Sequence, residues 1–307
     1  MRALVLGAAG MLGHRVWREL SEHMETHAAL RRTHAEIAPL RWFDRASVIE
    51  RTDVASDADL DRAFSIAMPD VVVNAVGIVK QRDDAANAVQ TISINALLPH
   101  RLAARCADGG ARLIHVSTDC VFSGSRGNYT EQDVPDARDL YGRSKLIGEV
   151  DQPDCLTIRT SMVGREIGSS RGLFEWFISH RGESVPGFTR ARFSGLTTAE
   201  LARVIRLVIE EHADIRGVWH VAGEQISKFD LLSILNETLS LGISIVADDS
   251  FVCDRTLDAT RFMNATGYRP PTWAAMVAEL AADPTPYDEW TTQWTSIAAN
   301  HSTVSTS

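Results

Sequence analysis

The chain has 307 residues, of which 45% are hydrophobic and 23% are charged. This composition excludes a disordered, collagen-like or coiled-coil protein, and the length suits one large or two moderate domains. The formal net charge of −9 argues against nucleic acid and anionic membranes as partners. An anionic ligand therefore needs a local site that overcomes the global negative field.

Cysteine spacing and hydropathy predict a cytoplasmic protein. The cysteines are far apart in the sequence, without CxxC or metal-finger spacing, and we interpret them as reduced thiols. They are Cys106, Cys120, Cys155 and Cys253. No segment reaches the roughly 18 apolar residues that a membrane-spanning helix needs. The sequence contains no HExxH motif, and we expect no metal chemistry.

Along the first half of the chain, short apolar runs alternate with segments of helical periodicity. The predicted strands cover 3–6, 27–30, 70–73, 111–116 and 155–158. The predicted helices cover 11–23, 57–66, 86–106 (broken near Pro99) and 140–150. Strands that alternate with helices indicate a parallel sheet covered on both faces, so residues 1–165 are predicted to form a doubly wound α/β domain.

The second half is less regular and is predicted to pack against the first as a smaller substrate-binding region, 166–283. Its predicted helices cover 172–179, 198–211, 228–240 and a last stretch from Pro270 to near Asp283. A strand near 217–222 is expected to return the chain to the sheet. Residues 284–307 are rich in Ser and Thr and are predicted to form a loose tail.

A glycine-rich turn links the first predicted strand to the first predicted helix, with the sequence Gly7-Ala8-Ala9-Gly10-Met11-Leu12-Gly13. Glycines here allow a tight turn, close approach of the backbone to a pyrophosphate, and close packing of helix against strand. The helix N-terminus adds free N–H groups and the positive end of its dipole. In this strand–turn–helix context the motif predicts a dinucleotide site of the Rossmann type, which can bind an anion locally.

The end of the second predicted strand bears on the choice of coenzyme. A carboxylate about 20 residues beyond the glycine turn typically binds the adenosine ribose of NAD. This chain has Arg31 and Arg32 instead, with Glu36 as the nearest acid. Guanidinium groups suit a 2′-phosphate, although adjacent arginines are also common in solvated turns. We therefore expect NADP(H) to be preferred, with NAD(H) as the alternative.

Tyr141 and Lys145 are four residues apart in a predicted helix and therefore lie on one helix face. A phenol has a reference pKa of about 10, and a neighbouring ammonium lowers it by favouring the phenolate. Such a tyrosine can protonate a carbonyl oxygen as hydride reaches the carbon. Ser117, Thr118 and Asp119 end the preceding strand, where a hydroxyl can hold the substrate oxygen. Tyr-xxx-Lys alone also fits a surface helix turn, but the order of the three motifs makes it specific.

Together these motifs resemble those of the extended short-chain dehydrogenases/reductases, and among them the dTDP-4-dehydrorhamnose reductases. The resemblance extends from about Met1 to Ala282. The motifs that carry it are Gly7-xx-Gly10-xx-Gly13, Asp53-Val54, Asn74-Ala75, Asn95, Ser117-Thr118-Asp119-Cys120-Val121-Phe122 and Tyr141-xxx-Lys145. The resemblance implies NAD(P)H-dependent reduction of a nucleotide-diphospho-4-keto-6-deoxyhexose.

The resemblance also implies roles for individual residues. Thr118 is expected to be the catalytic hydroxyl, Tyr141 the proton donor and Lys145 the group that lowers the tyrosine pKa. Thr160 is expected near the nicotinamide, and Asp119 beside the substrate. The remaining residues expected to line the coenzyme cleft are Asp53, Val54, Asn74, Ala75, Val76, Gly77, Asn95 and Ser117.

Two positions depart from the rhamnose reductases. Those enzymes usually have Tyr two positions after the catalytic Thr and Trp after the Arg-Thr-Ser run, whereas this chain has Cys120 and Met162. Both positions face the sugar in that family, so the identity of the sugar stays open. Related epimerase–reductases place an acid/base at the position of Cys120, but we rank a small buried apolar role first.

The variable second half is expected to recognise the nucleotide and the sugar. Lys80, Arg190 and Arg192 are candidates for contact with the substrate diphosphate, because cations make charge-assisted bonds to phosphate. A solvated surface charge is an equally good interpretation of each.

The motifs support three hypotheses about function. The first is the NADPH-dependent sugar-nucleotide reductase. The second is a non-catalytic binding subunit, since the regulatory subunit of methionine adenosyltransferase resembles the same reductases. The third is an epimerase–reductase that uses Cys120. Intact Thr118, Tyr141 and Lys145 favour catalysis. The oligomeric state stays open, with a homodimer among the candidates.

Overall fold

The computed structural model describes residues 1–79, 87–168 and 171–293, and a sheet of parallel strands forms the centre of the fold. In chain order its strands are β1 (Arg2–Leu6), β2 (Glu25–Ala29), β3 (Val48–Ile49), β4 (Val71–Asn74), β5 (Arg112–Val116), β6 (Cys155–Arg159) and β11 (Gly217–His220). Across the sheet the order is β11-β6-β5-β4-β1-β2-β3. The chain winds outwards in both directions from β1 and β4, which confirms the predicted doubly wound α/β fold.

Helices cover both faces of this sheet. In chain order the helices up to residue 282 are α1 (Gly13–Ser21), α2 (His34–Ile37), α3 (Asp57–Ala67), α4 (Ala88–Ile92), α5 (Leu98–Gly109), α6 (Leu140–Ile147), α7 (Leu173–Ile178), α8 (Thr198–Glu211), α9 (Lys228–Leu239), α10 (Thr260–Thr266) and α11 (Trp273–Ala282). Of these, α1 and α8 pack on one face of the sheet and α3 and α5 on the other. Alternate residues of β1 point to opposite faces. Val5 belongs to the core with Val16 of α1 and Ile205 of α8, whereas Leu4 belongs to the core with Leu60 of α3.

The second half of the chain adds short strands in three small sheets. The pairs are β7 (Met162–Val163) with β10 (Leu196–Thr197), β8 (Ser184–Phe188) with β13 (Ser244–Asp248), and β9 (Ala191–Phe193) with both β12 (Ile226–Ser227) and β14 (Cys253–Asp254). Sequence patterns did not predict these strands, because most are two or three residues long and pair with distant segments. The division of the chain at residue 165 stays a prediction.

The helical segment before β5 runs on without the break expected near Pro99. Between α4 and α5 the chain forms a π turn, Ser93–Leu97, in which Leu98 N–H donates to the Ser93 carbonyl. A proline cannot donate to the carbonyl four residues before it, which is that of Asn95. The wider π turn accommodates this missing bond within one continuous helix.

Residues 284–293 of the predicted loose tail are ordered against the core. Residues 287–293 are helical, and Tyr287 and Trp290 are only 2% and 3% exposed. Large aromatic side chains bury much apolar area, which offsets the entropy lost when a chain end becomes ordered. The loose-tail prediction is therefore wrong for this part, and 294–307 lies outside the described residues.

Candidate active site

A cleft of about 1220 Å³ opens at the carboxyl edge of the central sheet. Its lining includes Gly7 after β1, Ala75 after β4, Ser117 after β5 and Thr160 after β6. These strands are in register, so that Leu6 pairs with Asn74 and their ends are level. Open α/β sheets bind their ligands at this edge.

The glycine turn forms one end of the cleft. Gly7 has φ +80°, and a Cβ there would lie 3.0 Å from the Ala75 backbone, so only glycine fits. Gly10 N–H donates to the Gly7 carbonyl at 2.8 Å. Gly13 packs against that same carbonyl, too closely for any side chain, and does not itself line the cleft. The other predicted residues of this turn that line the cleft are Ala9, Met11 and Leu12.

The arginine pair and the segment after β3 line the cleft beside the glycine turn. Arg31 is exposed, while Arg32 is partly buried and lies 3.6 Å from Glu36. The Glu36 carboxylate also accepts from Thr33 N at 2.6 Å and caps α2. Asp53 and Val54, which the resemblance places beside the coenzyme, also line this cleft. Both arginines therefore line the same cleft as the glycine turn.

The predicted catalytic residues meet at the centre of the cleft. Thr118 follows β5, and α6 carries Tyr141 and Lys145 on the face towards it. Gly142 lies directly against the Cys120 carbonyl, so a side chain at this position would push α6 away from Thr118. Gly142 therefore also belongs to the site, and a glycine inside a predicted helix is the sequence feature that indicates such close packing.

Tyr141 is hydrogen-bonded to the Thr118 side chain. Burial and the nearby Cys120 thiol raise the pKa of the Tyr141 phenol, while the Thr118 hydrogen bond acts in the opposite direction. Thr118 Oγ1 also accepts from Cys120 N at 3.1 Å. The phenol is therefore protonated at neutral pH and can donate a proton.

Lys145 is 4% exposed, and its ammonium group contacts a row of buried polar groups. Its Nζ donates to the Val116 carbonyl at 2.7 Å and lies 3.4 Å from His115 Nε2. His115 Nδ1 lies 3.0 Å from Asn74 Nδ2. Burial lowers the pKa of Lys145 to about 8, and burial with the Lys145 charge lowers the pKa of His115. His115 is therefore neutral, and Lys145 is the group that titrates among these three buried side chains.

Asn74 and Asn95 do not line the cleft, in contrast to the expectation from the resemblance. Both instead hold the backbone that does. Asn74 Oδ1 accepts from Val76 N at 3.1 Å. Asn95 Oδ1 accepts from Ile78 N at 2.8 Å, and its Nδ2 donates to the Ile78 carbonyl at 2.9 Å. Val76 and Gly77 line the cleft, so the two asparagines position this wall from behind.

Ser117 and Thr160 line the cleft at the ends of β5 and β6. Ser117 Oγ donates to Glu149 Oε1 at 2.8 Å, and Glu149 forms a 2.7 Å ion pair with Arg159. Both partners of this pair have side chains that are 6% exposed, so the Ser117 hydroxyl is fixed by a buried network.

The wall opposite the sheet comes from the second half of the chain. Met162 and Arg192 line it, with Asp119 and Cys120 on the sheet side, and the assignment of these residues to the substrate stays a prediction. Arg190 does not line the cleft, and Lys80 lies outside the described residues. The lining residues that we did not predict include Arg171, Lys228, Phe251, Cys253 and Arg255.

These additional residues have no local sequence signal, because pairing between distant segments brings them to the cleft. Arg255 N–H donates to the Arg192 carbonyl at 3.0 Å, which places two cationic residues side by side. The Arg255 guanidinium donates to the Phe122 carbonyl at 2.9 Å. Phe251 is 47% exposed and packs on Phe188 at 5.3 Å between ring centroids. This wall thus offers positive charge and an accessible aromatic ring.

Within the described ranges, the chain has no helix long and apolar enough to cross a membrane. The same ranges contain no group of three or more His, Cys, Asp or Glu side chains that could hold a metal ion.

Comparison with known proteins relates the part of the chain that forms the cleft to one family. The family model described as RmlD substrate binding domain matches residues 1–285. The Haloferax volcanii protein named probable low-salt glycan biosynthesis reductase Agl14 is 31% identical, over 73% of this chain and 75% of that protein. A Mycobacterium tuberculosis dTDP-4-dehydrorhamnose reductase is 31% identical over 53% of this chain and 50% of its own length. Methionine adenosyltransferase 2 subunit beta of Danio rerio is 27% identical over 78% of this chain and 74% of its own.

Solved structures share the same fold. A hypothetical dTDP-4-dehydrorhamnose reductase from Sulfolobus tokodaii has a TM-score of 0.74 at 26% identity and covers 89% of this chain and 98% of its own. A dTDP-4-dehydrorhamnose reductase from Bacillus anthracis, solved in complex with NADP, has a TM-score of 0.75 at 19% identity. That match covers 92% of this chain and 99% of the other.

Proposed function

The chain belongs to the RmlD substrate binding domain family and is an oxidoreductase of the short-chain dehydrogenase/reductase type, and we propose that it reduces a nucleotide-diphospho-4-keto-6-deoxyhexose with NAD(P)H. The observation that carries this proposal is the convergence of Thr118, Tyr141 and Lys145 on a cleft that also contains the glycine turn. One cleft thus combines a proton donor with the glycine turn typical of a dinucleotide site.

The glycine turn fits the pyrophosphate of a nicotinamide coenzyme. The absence of a side chain at Gly7 and the N-terminus of α1 leave backbone N–H groups accessible to phosphate. Arg31 and Arg32 would meet a 2′-phosphate at the rim, which supports NADP(H) as the preferred coenzyme and NAD(H) as the alternative. When bound, the coenzyme supplies the hydride for the C4 carbonyl. A lower KM for NADH than for NADPH would contradict the preference.

The residues of this chain supply the proton and orient the substrate. Thr118 holds the carbonyl oxygen, and Tyr141 donates its phenolic proton to that oxygen as the carbon is reduced. The positive charge of Lys145 stabilises the phenolate that remains. Because burial raises the pKa of Tyr141, the phenol starts in the protonated form that this step needs.

The opposite wall would bind the rest of the substrate. Arg192 and Arg255 offer charge-assisted bonds to a diphosphate, and Lys228 adds a third cation nearby on the lining. Phe251 is 47% exposed and lines the same cleft, where its ring would stack on a nucleotide base. These contacts favour an anionic nucleotide sugar over a free, neutral sugar as the substrate.

The test is to mix the protein with NADPH and a panel of nucleotide-4-keto-6-deoxyhexoses and to follow the loss of NADPH absorbance. Oxidation that depends on one sugar, and that Tyr141→Phe abolishes, would support the reductase. Absence of oxidation with every sugar, while NADPH still binds, would contradict it.

Two other functions each have one supporting observation. The similarity to methionine adenosyltransferase 2 subunit beta supports a binding subunit, which would bind coenzyme without turning over any sugar. Cys120 lines the cleft close to Tyr141, which supports an epimerase–reductase with a thiol acid/base. Exchange of the sugar C5 proton with solvent deuterium before reduction would distinguish this enzyme from a simple reductase.

A further inference from the structure

The segment that follows α11 packs directly beside the glycine turn. The family match ends at residue 285, so Tyr287 and Trp290 lie beyond it. The Trp290 ring meets Trp42 edge to face at 5.1 Å, and Trp42 Nε1 donates to the His14 carbonyl at 3.3 Å. This chain therefore covers the start of α1 with residues outside the matched region.

His14 connects Tyr287 to the glycine turn through two hydrogen bonds. His14 is fully buried, and its Nδ1 lies 2.8 Å from the Gly10 carbonyl. A carbonyl can only accept, so Nδ1 carries the ring proton and Nε2 is the acceptor. The Tyr287 hydroxyl, 2.8 Å from Nε2, must therefore donate to it. Burial lowers the pKa of His14 to about 4, which agrees with this neutral ring.

The Gly10 carbonyl matters because it belongs to the same rigid unit as the Met11 N–H. The peptide group is planar and trans, so its C=O and N–H point in opposite directions. A bond that fixes the carbonyl towards His14 consequently fixes the direction of the Met11 N–H. Met11 lies in the glycine turn and lines the cleft.

Two ion pairs connect the segment to the rest of the chain. Asp283 pairs with Arg15 of α1 at 2.7 Å, and Asp288 pairs with Arg165 at 2.7 Å. The Arg165 guanidinium also lies 4.7 Å above the Tyr287 ring. Arg165 precedes Glu166, which lines the cleft, so the segment joins the glycine turn to the opposite wall.

We propose that Tyr287, acting through His14, is a positioning residue for coenzyme binding: it fixes the Gly10–Met11 peptide so that the Met11 N–H faces the coenzyme pyrophosphate. This role rests on the coenzyme site proposed above. Tyr287 does not touch the coenzyme itself, and its effect reaches the cleft through the neutral imidazole of His14.

Tyr287→Phe removes only the hydroxyl, and Tyr268→Phe is the matched control. Tyr268 also donates one hydrogen bond, 2.8 Å long, to Glu200, and it does not line the cleft. We expect Tyr287→Phe to raise the Kd for NADPH by about threefold to tenfold, the range of one hydrogen bond, and Tyr268→Phe to leave it unchanged. Fluorescence titration measures both, and kcat at saturating NADPH should stay near that of the wild type.

Equal Kd values for NADPH in wild type and Tyr287→Phe would overturn the proposal. An equal rise in Kd in Tyr287→Phe and Tyr268→Phe would also overturn it, because it would indicate a general loss of stability. A wild type that binds neither NADPH nor NADH would instead contradict the proposed function.

Amide hydrogen exchange of residues 7–13 without coenzyme tests the same link independently of binding. Exchange should be faster in Tyr287→Phe than in wild type and unchanged in Tyr268→Phe. Identical exchange in wild type and Tyr287→Phe would overturn the link between Tyr287 and the turn.

Discussion

The two walls of the cleft are built in different ways. The first wall is the carboxyl edge of β1, β4, β5 and β6, strands of four or five residues in parallel register. The second includes the short strands β9 and β14, and two of its cationic residues meet because Arg255 N–H donates to the Arg192 carbonyl. The sheet and α6 therefore fix the groups that we assign to chemistry, whereas pairing of distant short segments fixes those that we assign to recognition. Changes in the second wall can alter the substrate without moving the first.

Among the variants that test this division, Tyr141→Phe is expected to have the largest effect. The variant lacks the phenolic proton, and loss of general acid catalysis costs about 10²- to 10⁴-fold in rate. We expect kcat to fall by that range while the Kd for NADPH stays the same, since Tyr141 is assigned to the proton step. Tyr268→Phe should retain the wild-type kcat. A Tyr141→Phe enzyme within threefold of wild type would remove the residue from the chemistry.

The pH dependence tests the charge assigned to Lys145. Because burial lowers its pKa to about 8, Lys145 is charged below that pH and neutral above it. If the charge is needed, kcat/KM should fall above about pH 8, by up to about tenfold per pH unit. The pKa of Tyr141 is raised, so the phenol stays protonated and does not cause this fall.

Lys145→Arg is the control for this pH dependence, because a guanidinium stays charged throughout the range. Whatever activity remains in this variant should show no loss between pH 8 and 10. A wild-type profile that is flat to pH 10 would contradict the assignment, and so would an unchanged fall in Lys145→Arg.

The same contrast explains how much could be predicted from the sequence. Thr118, Tyr141 and Lys145 follow strand ends or share a helix face, so local spacing was enough to bring them together in the prediction. Arg255 and Phe251 depend on the pairing of β9 with β14 and of β8 with β13, which no local pattern specifies. Likewise, the buried packing of the segment from Asp283 depends on tertiary contacts with Trp42 and Arg15 rather than on its own Ser- and Thr-rich composition.

Arg192→Gln tests the second wall, with Arg190→Gln as its control. Both arginines are exposed and lie two positions apart, but only Arg192 lines the cleft. We expect Arg192→Gln to raise the KM for the nucleotide sugar by about threefold to tenfold, with kcat nearly unchanged, because one charge-assisted bond is lost. Arg190→Gln should leave both constants alone. Equal effects of the two substitutions would mean that only general surface charge matters.

Cys120→Ser is expected to have the smallest effect, although Cys120 lines the cleft on the side of the first wall. The residue contributes mainly through its backbone: its N–H donates to Thr118 Oγ1 at 3.1 Å, and its carbonyl packs against Gly142 of α6. Serine keeps both contacts, so kcat should stay within about twofold of wild type, or about 0.4 kcal/mol in the barrier. The configuration of the product, determined by NMR, should also be unchanged. A large loss of turnover together with a changed product configuration would instead require the thiol as an acid/base, and the first wall would then also determine the stereochemistry at C5.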